Sequence, residues 1–250
     1  MSAKLHPART YPAETAPAGV EDRQDSDGFA FGLYTVALLL VLNIVLVLVR
    51  RHFGHMQNYR FIPWNLFLAM VPYGVSLCVA LFYRAAPRLW WLTLPAYALW
   101  LLFLPNAPYL LTDFSHLVPK TPKQIWYDTT MLSVYALTGC VLAITSLALM
   151  HRPVREVLGW RVGWLFVIVT LYLTGIGVHL GRVQRFNSWD VLAQTQALLA
   201  ELGDRLFRPY LHPHTVFDAI YYATILLVGY VVYLVLCDKE ARSLILRGTR

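Results

Sequence analysis

The chain has 250 residues, of which 58% are hydrophobic and only 14% charged, and its formal net charge is +7. Soluble domains carry roughly a quarter charged residues, so this composition excludes an ordinary soluble domain and predicts a membrane protein built as one bundle rather than two domains. The basic residues fall between apolar runs instead of forming a patch interleaved with exposed aromatics, which argues against a nucleic-acid partner.

In chain order, residues 1–28 carry Pro7, Pro12 and Pro17 and then a polar run from Glu21 to Asp27, a composition expected of a disordered N-terminal tail. The tail lacks the order of a secretory signal, so the first apolar run is expected to stay as an anchor. A transmembrane helical domain is expected over 29–237 and a basic tail over 238–250. Six apolar runs, near 29–49, 63–83, 89–112, 126–150, 162–181 and 215–237, are each about 20 residues, long enough to cross roughly 30 Å of hydrocarbon as helices. The expected fold is therefore all-α, a polytopic transmembrane bundle of about six spans.

The third run is interrupted by Pro105-Asn106-Ala107-Pro108. Each proline lacks an amide proton and crowds the preceding turn, so a break near Asn106 is expected, with Asn106 placed to partner freed backbone. Between the fifth and sixth spans, the apolar spacing in 191–207 predicts one amphipathic helix lying in the interface or packed on the bundle. An N-inside, C-inside arrangement puts twelve Lys and Arg inside against nine outside, which expects both termini in the cytoplasm. The C-tail, with Lys239, Arg242, Arg247 and Arg250 among apolar residues, suits an anionic inner leaflet.

Six alternating spans put the first, third and fifth connections on one membrane face. There fall Asn58, Arg60 and Asn65; Asp113, Ser115 and His116; Trp126 and Asp128; and His179, Arg182, Arg185, Asn187, Ser188 and Asp190. The opposite connections, Arg84–Arg88 and His151–Arg161, read as ordinary basic anchors. Ionisable groups at membrane depth are costly unless paired or wet, so Asp113 or Asp128 is expected to answer Arg182 or Arg185. If helical, Asp113 and His116 share a side.

These residues support either an ion-pair network that fixes helix register or a shallow pocket. The expected ligand-binding set is Asn65, Asn106, Asp113, His116, Asp128, Arg182, Arg185, Asn187 and Asp190, with the arginines holding an anionic group. Asp113 and His116 are the candidate catalytic pair, as proton donor or acceptor. Asp113, His116 and His179 lack any H-E-x-x-H spacing, so no metal and no cofactor is expected. Cys78, Cys140 and Cys237 lie in apolar segments without C-x-x-C spacing, and no disulfide framework or zinc site follows. No nucleophile elbow, Walker loop or dinucleotide glycine motif is present. Gly175-Ile176-Gly177 reads as close helix packing, and tryptophans at span ends, Trp164 among them, read as a belt at the interface.

Trp64-Asn65-Leu66-Phe67-Leu68-Ala69 with Pro72, Leu104-Pro105-Asn106-Ala107-Pro108-Tyr109-Leu110-Leu111-Thr112-Asp113 with His116-Leu117, and Gly181-Arg182 with Arg185-Phe186-Asn187-Ser188-Trp189-Asp190 together resemble a bacterial integral-membrane family, domain of unknown function thirteen sixty-one. The resemblance covers roughly residues 30–237. It implies a multi-pass protein of the bacterial inner membrane and supports treating the polar residues above as a set; it implies no particular activity.

Three functions fit. The first is binding of an anionic small molecule or lipid head group, as carrier, sensor or accessory subunit. The second is a membrane-embedded enzyme on a lipid-linked substrate using Asp113 and His116. The third is a structural or assembly subunit that docks an unidentified protein partner. Beyond the lipid bilayer, the sequence names no partner.

Overall fold

The computed structural model describes residues 18–53, 59–117, 121–184 and 195–237. Among these residues six helical segments are long and apolar enough to cross a membrane: Gly32–His52, Ile62–Ala85, Pro87–His116, Gln124–Leu158, Trp160–Val183 and Pro213–Leu236. They form an all-α polytopic bundle, and among the described residues there is no strand. The elements are α1 (Ala18–Phe53), α2 (Ile62–Ala85), a 3-10 helix (Pro87–Thr93), α3 (Leu94–Phe103), α4 (Asn106–Tyr109), a second 3-10 helix (Leu110–His116), α5 (Pro122–Leu158), α6 (Trp160–Val183), α7 (Thr195–Phe207), a third 3-10 helix (Pro209–Leu211) and α8 (Pro213–Cys237). The N-terminal residues 1–17 and the C-tail from 238 lie outside the described residues. Helix α1 starts at Ala18, inside the stretch assigned to the polar tail. Helix propagates readily from an apolar span already formed.

Helix α5, with 37 residues, is the centre of the bundle. At 1.5 Å per residue it is about 55 Å long, well beyond a hydrocarbon core of about 30 Å. Its buried Leu132, Tyr135, Leu142, Leu147 and Met150 carry the core against which α1, α2, α3 and α6 pack. Threonine 121 begins it as N-cap, its hydroxyl accepting from the Gln124 amide at 3.3 Å.

Helix α1 meets α5 along a stripe spaced by seven, Val36, Asn43 and Arg50, two turns apart on one face. The buried Asn43 amide donates to Thr138 Oγ1 at 2.7 Å and to the Leu39 carbonyl at 2.8 Å. Interhelical hydrogen bonds of this kind average about 0.6 kcal/mol and reach about 1.7. Asn43→Leu is therefore expected to lower the thermal midpoint of the detergent-solubilised protein only slightly; a collapse of folded yield would assign Asn43 a larger role.

The third crossing is where the helix breaks. Leu104 and Pro105 form a turn between α3 and α4, because Pro108 cannot donate to the Leu104 carbonyl. The Ala107 amide takes that carbonyl instead, at 3.1 Å. This leaves the Phe103 carbonyl without its usual amide, and the Asn106 side chain fills the gap, donating from Nδ2 at 2.9 Å. The expected role of Asn106 as partner for freed backbone is thus met within its own turn. The crossing is complete: it begins near the end of α2 and finishes with Asp113 beside Asn65 at the start of α2.

Two glycines let neighbours close on the break. A Cβ on Gly139 of α5 would collide with the Ala107 carbonyl oxygen, and one on Gly177 of α6 with the Pro105 ring. Gly175 of α6 lies against the backbone of Ala219 in α8. The reading of Gly175 and Gly177 as close-packing positions therefore matches the geometry. Trp164 departs from the belt reading: its ring packs inward against His151 and Tyr230, with centroids 5.7 and 6.3 Å away. His151 is itself buried on α5, not in a connection, and shares a 2.6 Å hydrogen bond with the Tyr230 hydroxyl.

Helix α7 packs on the bundle through Leu202, which meets Ile176, Leu180 and Ala219, while Leu199 and Phe207 stay exposed. Burial pulls the Arg205 guanidinium below its ordinary range, and Glu201 one turn earlier pairs with it. Residues 191–194, the expected start of this helix, lie outside the described residues.

Candidate functional site

The second 3-10 helix delivers the polar end of the third crossing. In a 3-10 helix residues three apart eclipse one another, which puts Asp113 and His116 on one edge at different depths. Asp113 is buried and points into the bundle; His116 is exposed, its ring 4.7 Å from the Phe61 ring between centroids. The Asp113 carboxylate accepts from Asn65 Nδ2 at 3.2 Å. The fully buried Tyr135 hydroxyl lies between that carboxylate and the Ile62 carbonyl, the latter 3.2 Å away. Three crossings thus converge on one carboxylate, α2 through Asn65, α5 through Tyr135 and the third through Asp113 itself.

Arg182, in the last turn of α6, reaches the same place. Its guanidinium donates to Ser115 Oγ and is within electrostatic reach of Asp113 and His116. The end of the third crossing, beyond its break, and the arginine-bearing end of the fifth therefore meet at one end of the bundle. Among the described residues Arg182 forms no ion pair: its one hydrogen-bond partner is a neutral hydroxyl.

Asp128 does not answer Arg182. Its carboxylate is buried and taken by Arg50, at 2.6 Å from Nε and 3.1 Å from Nη2, with the Tyr59 hydroxyl donating at 2.9 Å. The Arg50 guanidinium also lies 5.8 Å from the Tyr59 ring centroid. A planar guanidinium matches a carboxylate with two parallel bonds, and the seven-residue stripe of α1 carries Arg50 to the start of α5. Of the two carboxylates expected to answer Arg182, Asp128 is therefore not the one, and it belongs to a separate network on the same face.

His179 is also apart from Asp113. Its Nδ1 lies 2.7 Å from Asp218 Oδ2, joining α6 to α8. Tyr222, one turn after Asp218 on α8, lies near both Asp218 and Arg182. Among the described residues no group of three His, Cys, Asp or Glu side chains is arranged to hold a metal. Cys78 and Cys140 are free thiols. Arg185, Asn187 and Asp190, expected as ligand-binding residues, lie outside the described residues, as does Asn58.

Asn65, Asp113, His116 and Arg182 come together; Asn106 turns back on its own chain and Asp128 goes to Arg50. Sequence reasoning missed Arg50, Tyr59, Tyr135 and Asp218. For Asp218 a signal existed, a lone carboxylate five residues into the last apolar helix. Arg50 carried none, because a cation ending an apolar run reads equally as an interfacial anchor.

No curated protein and no solved structure matches this chain. A family profile does, across residues 64–235, which begins at the Trp64-Asn65 motif and spans the break, Asp113 and Arg182. This multi-pass membrane chain therefore belongs to the family described as Protein of unknown function (DUF1361).

Proposed function

We propose that this chain binds an anionic small molecule or lipid head group at the membrane face where the third crossing breaks, acting as a carrier, sensor or accessory subunit. The observation that carries the reading is the state of Arg182. Arg50 is committed to Asp128 through two bonds, whereas Arg182 is half-exposed, rests on Ser115 and makes no ion pair among the described residues. A guanidinium held by a neutral hydroxyl keeps its remaining donors for a bidentate oxyanion. Asp113, behind it, is tied to Asn65 and Tyr135 and fixes the end of the third crossing, so the carboxylate orients the cation without occupying its fork. His116 and Ser115, both exposed, form the rim. Arg185, Asn187 and Asp190 follow Arg182 in the chain and are assigned to the same site.

A hydrogen bond to a charged group is worth about 1.5–3 kcal/mol, so Arg182→Gln is expected to weaken binding by about tenfold to a hundredfold. The measurement is equilibrium binding to purified full-length protein, with inorganic phosphate in one arm and phosphatidylglycerol in the other. Loss in the first arm alone identifies a soluble anion, and loss in the second a lipid head group. Unchanged binding in both would end the proposal. The setting we assign is the bacterial inner membrane with both termini in the cytoplasm, which rests on the Lys and Arg bias; a C-terminal reporter active only outside the cytoplasm would reverse it.

A further inference from the structure

At the opposite end of the bundle from Asp113, a cleft of about 390 Å³ opens between the start of the third crossing, the end of α5 and the start of α6. Its walls include Trp90, Tyr97, Val157, Leu165, Phe166 and Val169. The volume falls in the range of small-molecule sites, about 300–1,000 Å³. Its origin is local: Pro87 starts the third crossing as a 3-10 helix that continues to Thr93 before α3 begins, so this stretch does not pack on α6 as a regular helix would.

The wall is almost wholly apolar, and its two hydroxyls donate elsewhere. The Thr93 hydroxyl donates to the Trp90 carbonyl at 2.5 Å, and the Tyr97 hydroxyl to the Met150 carbonyl at 2.9 Å. An extended peptide segment in this cleft would bring backbone groups with nothing to bond them at membrane depth. What fits is hydrocarbon. Leu165 and Val169 are themselves exposed on the lipid-facing side, so the cleft is reached sideways from the bilayer.

The rim is basic. The two stretches beside the cleft, 84–88 and 151–161, hold five arginines against the single Glu156, and Arg152 takes that carboxylate at 2.8 Å. Arg88, two residues before the lining residue Trp90, and Arg161, next to the lining residue Val162, are both exposed.

We infer that this cleft is a phospholipid site: one acyl chain lies between the third crossing, α5 and α6, and its anionic phosphate rests on Arg88 and Arg161. An acyl chain gains nothing in hydrophobicity by leaving the bilayer, since lipid tails are as apolar as leucine. Selectivity comes instead from filling a gap whose walls otherwise lack contact atoms and from the two cations, each expected to favour an anionic head by about fivefold.

The test is native mass spectrometry of the full chain in detergent with equal amounts of phosphatidylglycerol and phosphatidylcholine. It is run in the Arg182→Gln background, so that lipid held at the other face does not count and failure of that site leaves this result readable. Retained phosphatidylglycerol is expected to exceed phosphatidylcholine. Arg88→Gln with Arg161→Gln should remove the preference, and Val157→Trp should strip both lipids by filling the cleft. The two arginines are exposed, so their variant decides the matter even where Val157→Trp lowers folded yield. Equal retention of both lipids by the parent, or a preference untouched by the double arginine change, overturns the assignment.

Discussion

Asp128→Ala is expected to be the most damaging single substitution in the molecule, lowering stability by about 3–5 kcal/mol, the range for leaving one member of a buried ion pair without its partner. Arg50 is nearly buried, with 11% of its side chain exposed, and Asp128 shows 4%. Without the carboxylate, Arg50 loses two bonds and the Tyr59 hydroxyl loses one. The readout is the thermal midpoint and the monodisperse yield of detergent-solubilised protein. The paired change Arg50→Leu with Asp128→Leu should recover most of the loss, because a buried ion pair and an apolar pair of similar volume are often close in stability. If the double variant is as unstable as Asp128→Ala, the pair specifies how α1 docks on α5 rather than merely neutralising itself. An Asp128→Ala protein with an unchanged midpoint would remove this network from the account of the fold.

The second large effect concerns Gly175→Ala. A Cβ there would sit 2.5 Å from the Ala219 carbonyl oxygen and 2.6 Å from its Cα. Those are backbone atoms of α8, with no flexible side-chain end to move aside, so the helices must separate. Overpacking of this kind costs about 1–3 kcal/mol. Separation would also stretch the 2.7 Å contact between His179 and Asp218, which joins the same two helices one turn further on. Gly74→Ala is the control: nothing lies within 4 Å of a Cβ at that position, and replacing helical glycine with alanine is neutral to favourable by about 1 kcal/mol. Comparing the two midpoints checks the claim, and a Gly175→Ala protein as stable as Gly74→Ala would show that α6 and α8 are not in tight contact.

The two effects arise from different terms. In the Asp128 network the dominant cost is an uncompensated charge in a low-dielectric setting. Between α6 and α8 it is the closeness of two backbones, which membrane helices need because no hydrophobic gain drives them together.

The crossings were legible one by one. Bilayer thickness sets a length for an apolar run whatever its neighbours do, and the six runs read from the chain agree with the helices to within a few residues at most boundaries. Among the membrane-crossing segments the largest departure is the fourth, whose helix continues past Met150 to Leu158 through Pro153. Polar residues there read as a connection, but this end is covered on one side by Trp164 and Tyr230, so the helix continues under packing rather than under apolar sequence. The break was legible as well, since two prolines three apart act on their own turn. Its repair by Asn106 was visible for the same reason: the side chain and the carbonyl it reaches are three residues apart.

What the amino-acid sequence determined alone was therefore everything set by short range or by the solvent: the number and length of crossings, the break, and the gathering of Asp113, His116 and Arg182 on one face by alternation of spans. Only the tertiary structure decided partners. Asp128 and Arg50 are 78 residues apart, His179 and Asp218 39, Arg182 and Ser115 67, and no local pattern says which cation meets which carboxylate. That choice depends on helix rotation and on how closely backbones approach at Gly139, Gly175 and Gly177. Those are fixed by packing across the whole bundle, so a charge's position along the chain gives its depth but not its neighbour.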